Sequence, residues 1–114
     1  MNREQFLKRL RQEIPYIKAF EEDDWDWYNE GIELLKKGDF EKAEKKFKEL
    51  ILSQPDHHDG YEGLARVYMK MGRLEDSLFL IEAAIELAGK FLEDGSLDIE
   101  ILEELKHLRE DIRN

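Results

Sequence analysis

The sequence predicts an all-α protein built from stacked helix pairs, and the first reason is an internal repeat. The order of large and small apolar residues over 27–51 returns thirty-four residues later. The matched pairs are Trp27 with Tyr61, Gly31 with Ala65, Leu34 with Tyr68, Gly38 with Gly72, Phe40 with Leu74, Ala43 with Ser77, Phe47 with Ile81, Leu50 with Ala84 and Ile51 with Ile85. A period of this length is typical of helical hairpins that bury their apolar faces only against their neighbours. The pattern therefore favours an α-solenoid with a binding role over an enzyme.

The second reason is the helical spacing of apolar residues on both sides of the repeat. In the amino-terminal flank they are Phe6, Leu7, Leu10, Ile14 and Ile17, and in the carboxy-terminal flank Leu97, Ile101, Leu102, Leu105, Leu108 and Ile112. This spacing places each set on one face of a helix. We expect an N-terminal helix within 1–22, capped by Asn2 and kinked or ended near Ile14 by Pro15. We expect a C-terminal helix over 96–113 that caps the stack with a polar outer face.

Length and composition limit the other classes of protein. The 114 residues suit a single domain spanning 1–114. A formal net charge of -10 would repel a phosphate backbone, so nucleic acid is not an expected partner. No apolar run approaches the ~20 residues of a membrane span, and the amino terminus lacks the apolar core of a signal peptide. With no cysteine for disulfides, we expect a cytoplasmic protein that has no membrane contact.

The repeated residues resemble the tetratricopeptide repeat family, whose unit is a pair of antiparallel helices. In the first copy the family's positions are held by Trp27, Gly31, Leu34, Gly38, Phe40, Ala43, Phe47 and Pro55. In the second copy they are held by Tyr61, Leu64, Ala65, Tyr68, Gly72, Leu74, Ser77, Ile81 and Ala84. The chain departs from the family's pattern at Glu30, Ser77 and Gly89. The resemblance implies a right-handed α-solenoid with repeat 1 at 24–57 and repeat 2 at 58–91.

Glycine and proline set the expected ends of the helices in repeat 1. The two helices should run over 24–37 and 40–53. Gly38 permits the left-handed turn between them, a conformation that a β-carbon penalises. Pro55 should end the unit, because proline cannot continue a helix without losing a hydrogen bond.

Repeat 2 should follow the same plan with weaker ends. Asp56 should cap its first helix. Gly60 and Gly63 lie early in that helix, and each should cost up to about 1 kcal/mol relative to alanine, so we expect this end to fray. The second helix should run over 74–88 and stop at Gly89, because glycine is common just past a helix end.

The string Asp56-His57-His58-Asp59 contains a triplet similar to the metal-binding Asp-His-His string of one phosphoesterase family. Adjacent histidines at a helix start should point in different directions, so we expect a capped, solvated turn and no metal. His107 should lie on the surface. The chain also lacks a glycine-rich phosphate loop, a serine in a nucleophile motif and a marked pair of buried carboxylates. We therefore expect no catalytic residues, no cofactor and no enzymatic activity.

The resemblance also implies a concave wall lined by residues of the first helix of each repeat. By position these residues are Trp25, Tyr28, Ile32, Lys36, Asp59, Glu62, Arg66, Met69 and Lys70. Trp25 and Tyr28 have no role in the repeat core, and aromatic side chains of this kind often dominate binding energy. Their surroundings are acidic, with Glu21, Glu22, Asp23, Asp26 and Glu62 nearby. We expect the wall to bind an apolar or basic peptide segment of another protein, and Trp25→Ala to abolish that binding.

One familiar function of the family is not expected. The version that grips the acidic tail of heat-shock chaperones uses Lys and Asn at the positions held here by Tyr28 and Ile32. A carboxylate would meet an aromatic wall instead, and Arg66 and Lys70 alone are a poor substitute.

Two alternatives leave no open wall. In the first, which we favour, the N-terminal helix lays its apolar residues onto Trp25, Tyr28 and Ile32, either in the groove or as a degenerate half repeat. An amphipathic helix and an apolar wall within one short chain should contact each other. In the second, two copies of the chain bury their apolar surfaces across a two-fold axis and form a structural homodimer.

Overall fold

The computed structural model describes residues 1–21, 26–93, 95 and 99–114, except for the side chain of residue 91. Within this part of the chain there are six α-helices and no strand, which confirms the all-α prediction. The helices are α1 (Arg3–Glu13), α2 (Trp27–Lys36), α3 (Phe40–Ser53), α4 (His58–Lys70), α5 (Leu74–Glu93) and α6 (Ile99–Arg113). None of these helices combines the length and the apolar character that a membrane span requires.

α1 begins and ends where the sequence predicts, but the rest of the amino-terminal segment is not helical. The side chain of Asn2 accepts a hydrogen bond from the Gln5 backbone N–H, and the Gln5 side chain accepts one from Asn2 in return. The helix ends at Glu13, since Pro15 offers no N–H and clashes with the preceding turn. Residues 14–21 form turns and irregular backbone, so of the two predicted outcomes at Pro15 the helix ends and does not continue past a kink.

Two helical hairpins follow, α2 with α3 and α4 with α5, and their turns use the same device. Gly38 has a φ of 81° and Gly72 a φ of 78°, both in the left-handed region that penalises a β-carbon. Asp39 caps α3, because its side chain accepts a hydrogen bond from the Lys42 backbone N–H. The predicted glycine turns are confirmed in both copies.

The hairpins stack on each other. α3 packs along α4, and α2 also contacts α4 directly. The Tyr61 hydroxyl donates a hydrogen bond to the Pro55 carbonyl at 2.7 Å, which ties α4 to the connection that precedes it. The apolar side chains buried between the helices form one continuous core, to which α1 and α6 also contribute. The chain is therefore an α-solenoid, as the repeat pattern predicts.

Gly60 and Gly63 are required where α4 approaches α3, a role in packing that their low helix propensity does not indicate. A β-carbon at Gly63 would lie 2.1 Å from the Phe47 ring, and one at Gly60 would lie 2.9 Å from the Ile51 backbone nitrogen. Gly31 of α2 meets the same ring, since its β-carbon would lie 2.5 Å from Phe47 Cζ. Phe47 is fully buried and fills the space that these glycines leave. The cost in local helix propensity is offset by close packing.

Gly89 lies inside α5, so the prediction that this helix stops there is wrong. A glycine that ends a helix usually takes the left-handed conformation, and Gly89 does not. The helix continues because α6 packs along it and Ala88 is fully buried. Such packing outweighs the roughly 1 kcal/mol that an interior glycine costs.

α6 covers the end of the stack, as expected for a capping helix. Leu105, Leu108 and Ile112 are buried, and α6 packs against α5. On the outer side, Arg109 and Arg113 each lie 3.5 Å from the Glu82 carboxylate of α5. The predicted beginning of this helix at 96–98 lies outside the described residues.

Candidate functional site

A depression lies between α2 and α4, the first helices of the two hairpins. We call it the α2–α4 groove, and its lining residues are Tyr28, Asn29, Ile32, Leu35, Lys36, Arg66 and Lys70. Its volume is about 540 Å³, comparable with a pocket for one or a few side chains. The helical period explains the grouping, because residues three and four apart share one helix face. Within the lining, the sequence pattern missed only Asn29 and Leu35, which neighbour the predicted positions.

The structure brings most of the predicted wall to this groove. Five of the predicted residues line it, namely Tyr28, Ile32, Lys36, Arg66 and Lys70. Glu62 is joined to it by hydrogen bonds, whereas Met69 is half-buried and packs against the core. Asp59 lies at the beginning of α4, in the first turn. Trp25, which the sequence suggests as the main aromatic contact, lies outside the described residues.

The wall is held together by Tyr28, Glu62 and Arg66. The Tyr28 hydroxyl donates a hydrogen bond of 2.6 Å to Glu62 Oε2, and Arg66 Nε donates one of 3.1 Å to the same oxygen. Tyr28 and Glu62 occupy equivalent positions of the two repeats, thirty-four residues apart, so the bond joins α2 to α4 across the repeat junction. Burial, followed by the charge of Glu62, raises the pKa of the Tyr28 phenol well above its usual range. Tyr28 therefore remains a protonated donor at neutral pH.

The charge of the groove differs from that of the whole chain. Lys36, Arg66 and Lys70 line it, and the Glu62 carboxylate beside it is already bonded to Tyr28 and Arg66. Lys36 also lies 3.6 Å from Glu33, but both side chains are mostly exposed, and an exposed pair of this kind interacts weakly. The groove is thus locally cationic in a chain of net charge -10.

The opposite end of the same wall is acidic. Asp26 precedes α2, and Asp59 lies in the first turn of α4. Acidic residues at helix starts and basic residues at helix ends complement the helix dipoles. The wall therefore changes from negative to positive charge along the two helices.

α1 does not cover the groove, so the favoured prediction that it packs onto Tyr28 and Ile32 is wrong. α1 instead packs on α3, and the Phe6 ring meets the Phe79 ring of α5 edge to face at 5.5 Å. Glu13 forms an ion pair of 3.0 Å with Lys48 of α3. α3 and α5 are the second helices of the two hairpins. Their apolar side chains bury the apolar face of α1. Among the described residues, none from α1 lines the groove.

The histidine string lies at the beginning of α4. His57, rather than the predicted Asp56, is the N-cap residue, since its Nδ1 accepts a hydrogen bond from the Asp59 backbone N–H at 3.3 Å. The rings of His57 and His58 stack, with centroids 4.6 Å apart and planes 24° apart, so the prediction that they diverge is wrong. His58 is buried, and burial lowers its pKa below the usual value. His107 is exposed, as predicted.

Ser77, which departs from the family's alanine, has a structural role. It is fully buried, and its hydroxyl donates a hydrogen bond to the Ala65 carbonyl at 2.7 Å. A small polar residue is tolerated in the core because its donor is satisfied.

Comparison with known proteins agrees with this architecture. A model of the tetratricopeptide repeat family matches residues 34–93, which is just over half of the chain. No curated protein and no solved structure matches the chain. The matched segment contains the end of α2, the whole of α3 and α4, and α5 to its end. Together with the glycine turns and the stacked hairpins, this match shows that the chain belongs to the tetratricopeptide repeat family.

Proposed function

We propose that this chain is a protein-interaction module that binds a peptide segment of a partner protein in the α2–α4 groove. Tetratricopeptide repeats generally mediate protein–protein interactions, and the family is not enzymatic. We expect no catalysis in this chain. The observation that supports the proposal best is a groove with an apolar floor and a cationic rim that α1 leaves uncovered.

The floor favours a partner with at least one apolar side chain. Tyr28, Ile32 and Leu35 are partly buried and lie against the core, so their exposed edges are fixed before any partner arrives. A preformed site loses less entropy on binding than one that must be ordered first. The Tyr28–Glu62 hydrogen bond holds the two helices at the spacing that forms the groove.

The rim favours carboxylates at this end of the partner segment. The sequence alone suggested an apolar or basic partner, because of the acidic residues before α2. Lys36 and Lys70 line the groove itself, and we propose that they face an acidic residue of the segment. Basic residues of the same segment would then lie toward Asp26 and Asp59, which sets the direction in which it binds.

A peptide array tests the proposal and its direction together. The purified chain is screened against segments that place apolar residues between an acidic and a basic end, against their reversed sequences, and against uncharged versions. Fluorescence anisotropy then gives the affinity of the best segments. We expect binding to the charged segments in one direction and a weaker affinity at high salt. Equal binding to the reversed sequences would contradict the direction, and no binding in any series would contradict the groove.

Charge reversal provides the matched variants. Lys36→Glu with Lys70→Glu should abolish binding of the acidic segment. Lys8→Glu with Lys45→Glu changes the net charge by the same amount at exposed positions of α1 and α3, and should leave binding nearly unchanged. If both pairs weaken binding equally, the effect is one of net charge and the groove is not the site.

A second copy of the chain is the competing occupant of the groove. A homodimer through the groove would bury the same apolar floor against a second copy of the chain. Light scattering over a range of protein concentrations distinguishes the two cases. We expect a monomer at all concentrations. A dimer that dissociates when Ile32 is changed to Glu would contradict peptide binding and show that the groove serves self-association.

A further inference from the structure

Three residues at the start of α4 bring electron-pair donors together. His57, His58 and Asp59 each offer one ligand atom, and these atoms all lie within 4.8 Å of one another. His57 Nδ1 is 3.5 Å from one Asp59 carboxylate oxygen, and His58 Nδ1 is 3.2 Å from the other. We call these three residues the His57–Asp59 cluster.

His58 is the unusual member of this cluster. The residue is only 4% exposed, yet its Nδ1 makes no hydrogen bond within the described part of the chain. A buried polar atom without a partner costs roughly 1–3 kcal/mol, so such atoms in folded proteins call for an explanation. Two electron-pair acceptors 3.2 Å apart also repel unless a proton or a metal ion lies between them.

We propose that the His57–Asp59 cluster binds a divalent transition-metal ion, with Zn²⁺ as the best fit. Two imidazole nitrogens and one carboxylate oxygen form a donor set that Zn²⁺ takes in proteins. In tetrahedral zinc sites with bonds of ~2.0–2.1 Å, neighbouring ligand atoms lie about 3.3 Å apart. The two nitrogen–oxygen distances, 3.2 and 3.5 Å, are close to that separation. All the ligand atoms lie within 4.8 Å of one another, and the half-exposed His57 ring must rotate out of its stack on His58 for both nitrogens to face one ion.

The exposure of the cluster determines how the ion enters. The side chains of His57 and Asp59 are 40% and 41% exposed, whereas that of His58 is 5% exposed. The ion therefore reaches the cluster from solvent past His57 and Asp59, because the His58 Nδ1 atom is itself shielded from solvent. Three protein ligands leave a fourth position for water or for a group from another molecule. Binding also replaces the long hydrogen bond from Asp59 N–H to His57, so the affinity is lower than that of a closed four-ligand site.

An ion at this position would join the cap of α4 to its first turn. His57 is the N-cap, while His58 and Asp59 are the first two residues of the helix. An ion that binds the folded chain and not the unfolded chain raises the melting midpoint as its concentration increases. This inference does not rest on the proposed peptide binding, because none of the three ligand residues lines the groove, although Asp59 is also a carboxylate proposed to face basic residues of the partner segment.

Zinc titration of the full chain, stripped beforehand with EDTA, tests the proposal. Isothermal calorimetry near neutral pH should show saturable binding of one Zn²⁺ per chain, and the melting midpoint should rise as ZnCl₂ is added. EDTA should reverse the rise. No saturable binding would overturn the proposal.

Matched serine variants separate this cluster from accidental surface binding. His57→Ser keeps a residue that caps helices well but removes one imidazole ligand. Its zinc affinity should fall by more than the ~10–100-fold that is typical when only an outer-shell partner of a metal site is lost. His107→Ser removes an exposed histidine of α6 and should bind zinc as the wild type does. Equal affinities of the two variants would overturn the proposal.

Cobalt gives a readout of geometry that does not depend on stability. Co²⁺ in a four-coordinate site with nitrogen ligands gives intense visible absorption, whereas six-coordinate Co²⁺ is pale. We expect the intense bands in the wild type and their loss in both His57→Ser and Asp59→Asn. A pale spectrum in the wild type would contradict a tetrahedral site.

Discussion

The two hairpins solve the same packing problem with different residues. In the first, Phe47 fills the space beside Gly31, and both are buried. In the second, the equivalent positions hold Ile81 and Ala65, which are both fully buried. The large residue is smaller and the small residue is larger, so the pair keeps a similar total volume. In each repeat the combined volume of the two facing side chains is therefore similar. A closely packed core requires this, because both cavities and overpacking are destabilising.

The hairpins also differ at the repeat junction. Phe47 of the first hairpin extends past its own partner helix and meets Gly63 of α4, which has no room for a β-carbon. Its ring also meets the Tyr28 ring edge to face, with centroids 5.9 Å apart. Phe47 therefore joins α2, α3 and α4, and the spacing of α2 and α4 sets the groove. The first hairpin therefore supplies the side chain that joins the two repeats.

The largest effect should come from shortening the two large residues. Phe47→Ala should lower the free energy of unfolding by about 3–5 kcal/mol, because it removes a buried ring that three helices share. Ile81→Ala should cost about 2–5 kcal/mol and less than Phe47→Ala in the same protein. Urea denaturation followed by circular dichroism measures both. Equal costs would contradict the special position of Phe47.

Transplanting the second pair into the first hairpin should show compensation. Gly31→Ala alone overpacks the Phe47 ring and should destabilise the chain by about 1–3 kcal/mol. Combined with Phe47→Ile, it reproduces the Ala65–Ile81 pair of the second hairpin. The double variant should cost less than the sum of the single variants, by about 0.5–3 kcal/mol of interaction free energy. Strict additivity would mean that the two residues do not share one space.

Two glycines in helices should respond in opposite ways to alanine. Gly63→Ala should destabilise the chain by about 1–3 kcal/mol, since the new methyl group would meet Phe47. Gly89 has no neighbour within 4 Å of an added β-carbon, so Gly89→Ala should stabilise α5 by up to about 1 kcal/mol. Thermal melts of the two variants provide the comparison. A loss of stability in Gly89→Ala would contradict a regular helix at that position.

The smallest effect concerns the bond between equivalent positions of the repeats. Tyr28→Phe removes the hydrogen bond to Glu62 and should cost about 1 kcal/mol, because Arg66 still pairs with that carboxylate. The raised pKa of Tyr28 means that its phenol favours the folded state below the unfolded pKa of about 10, and that this contribution is lost as pH rises further. The wild type should therefore lose more stability than the variant in alkaline denaturation. Parallel pH profiles would contradict a buried, bonded phenol.

Local signals in the sequence predicted most of the fold. The thirty-four-residue period, the turns at Gly38 and Gly72 and the end of α1 before Pro15 depend on backbone preferences that neighbouring residues determine. The groove residues followed from the same register, since positions on one helix face recur every three or four residues.

What the sequence could not predict depends on tertiary contacts. The apolar stripe of α1 specifies a buried face but not its partner, and it packs on α3 and Phe79 instead of the groove. Gly63 has a low helix propensity, which is all that the sequence indicates. Its role is to leave room for the Phe47 ring between α3 and α4. The stacking of His57 on His58 depends on side-chain rotamers that spacing does not determine.

The position of α1 tests the open groove most directly, and nuclear Overhauser contacts between assigned side chains measure it. We expect contacts from the Phe6 ring to the Phe79 ring, whose centroids lie 5.5 Å apart, and none from α1 to Ile32. Contacts from Phe6 or Leu10 to Ile32 or Tyr28, with none to Phe79, would place α1 in the groove and contradict the proposed binding site.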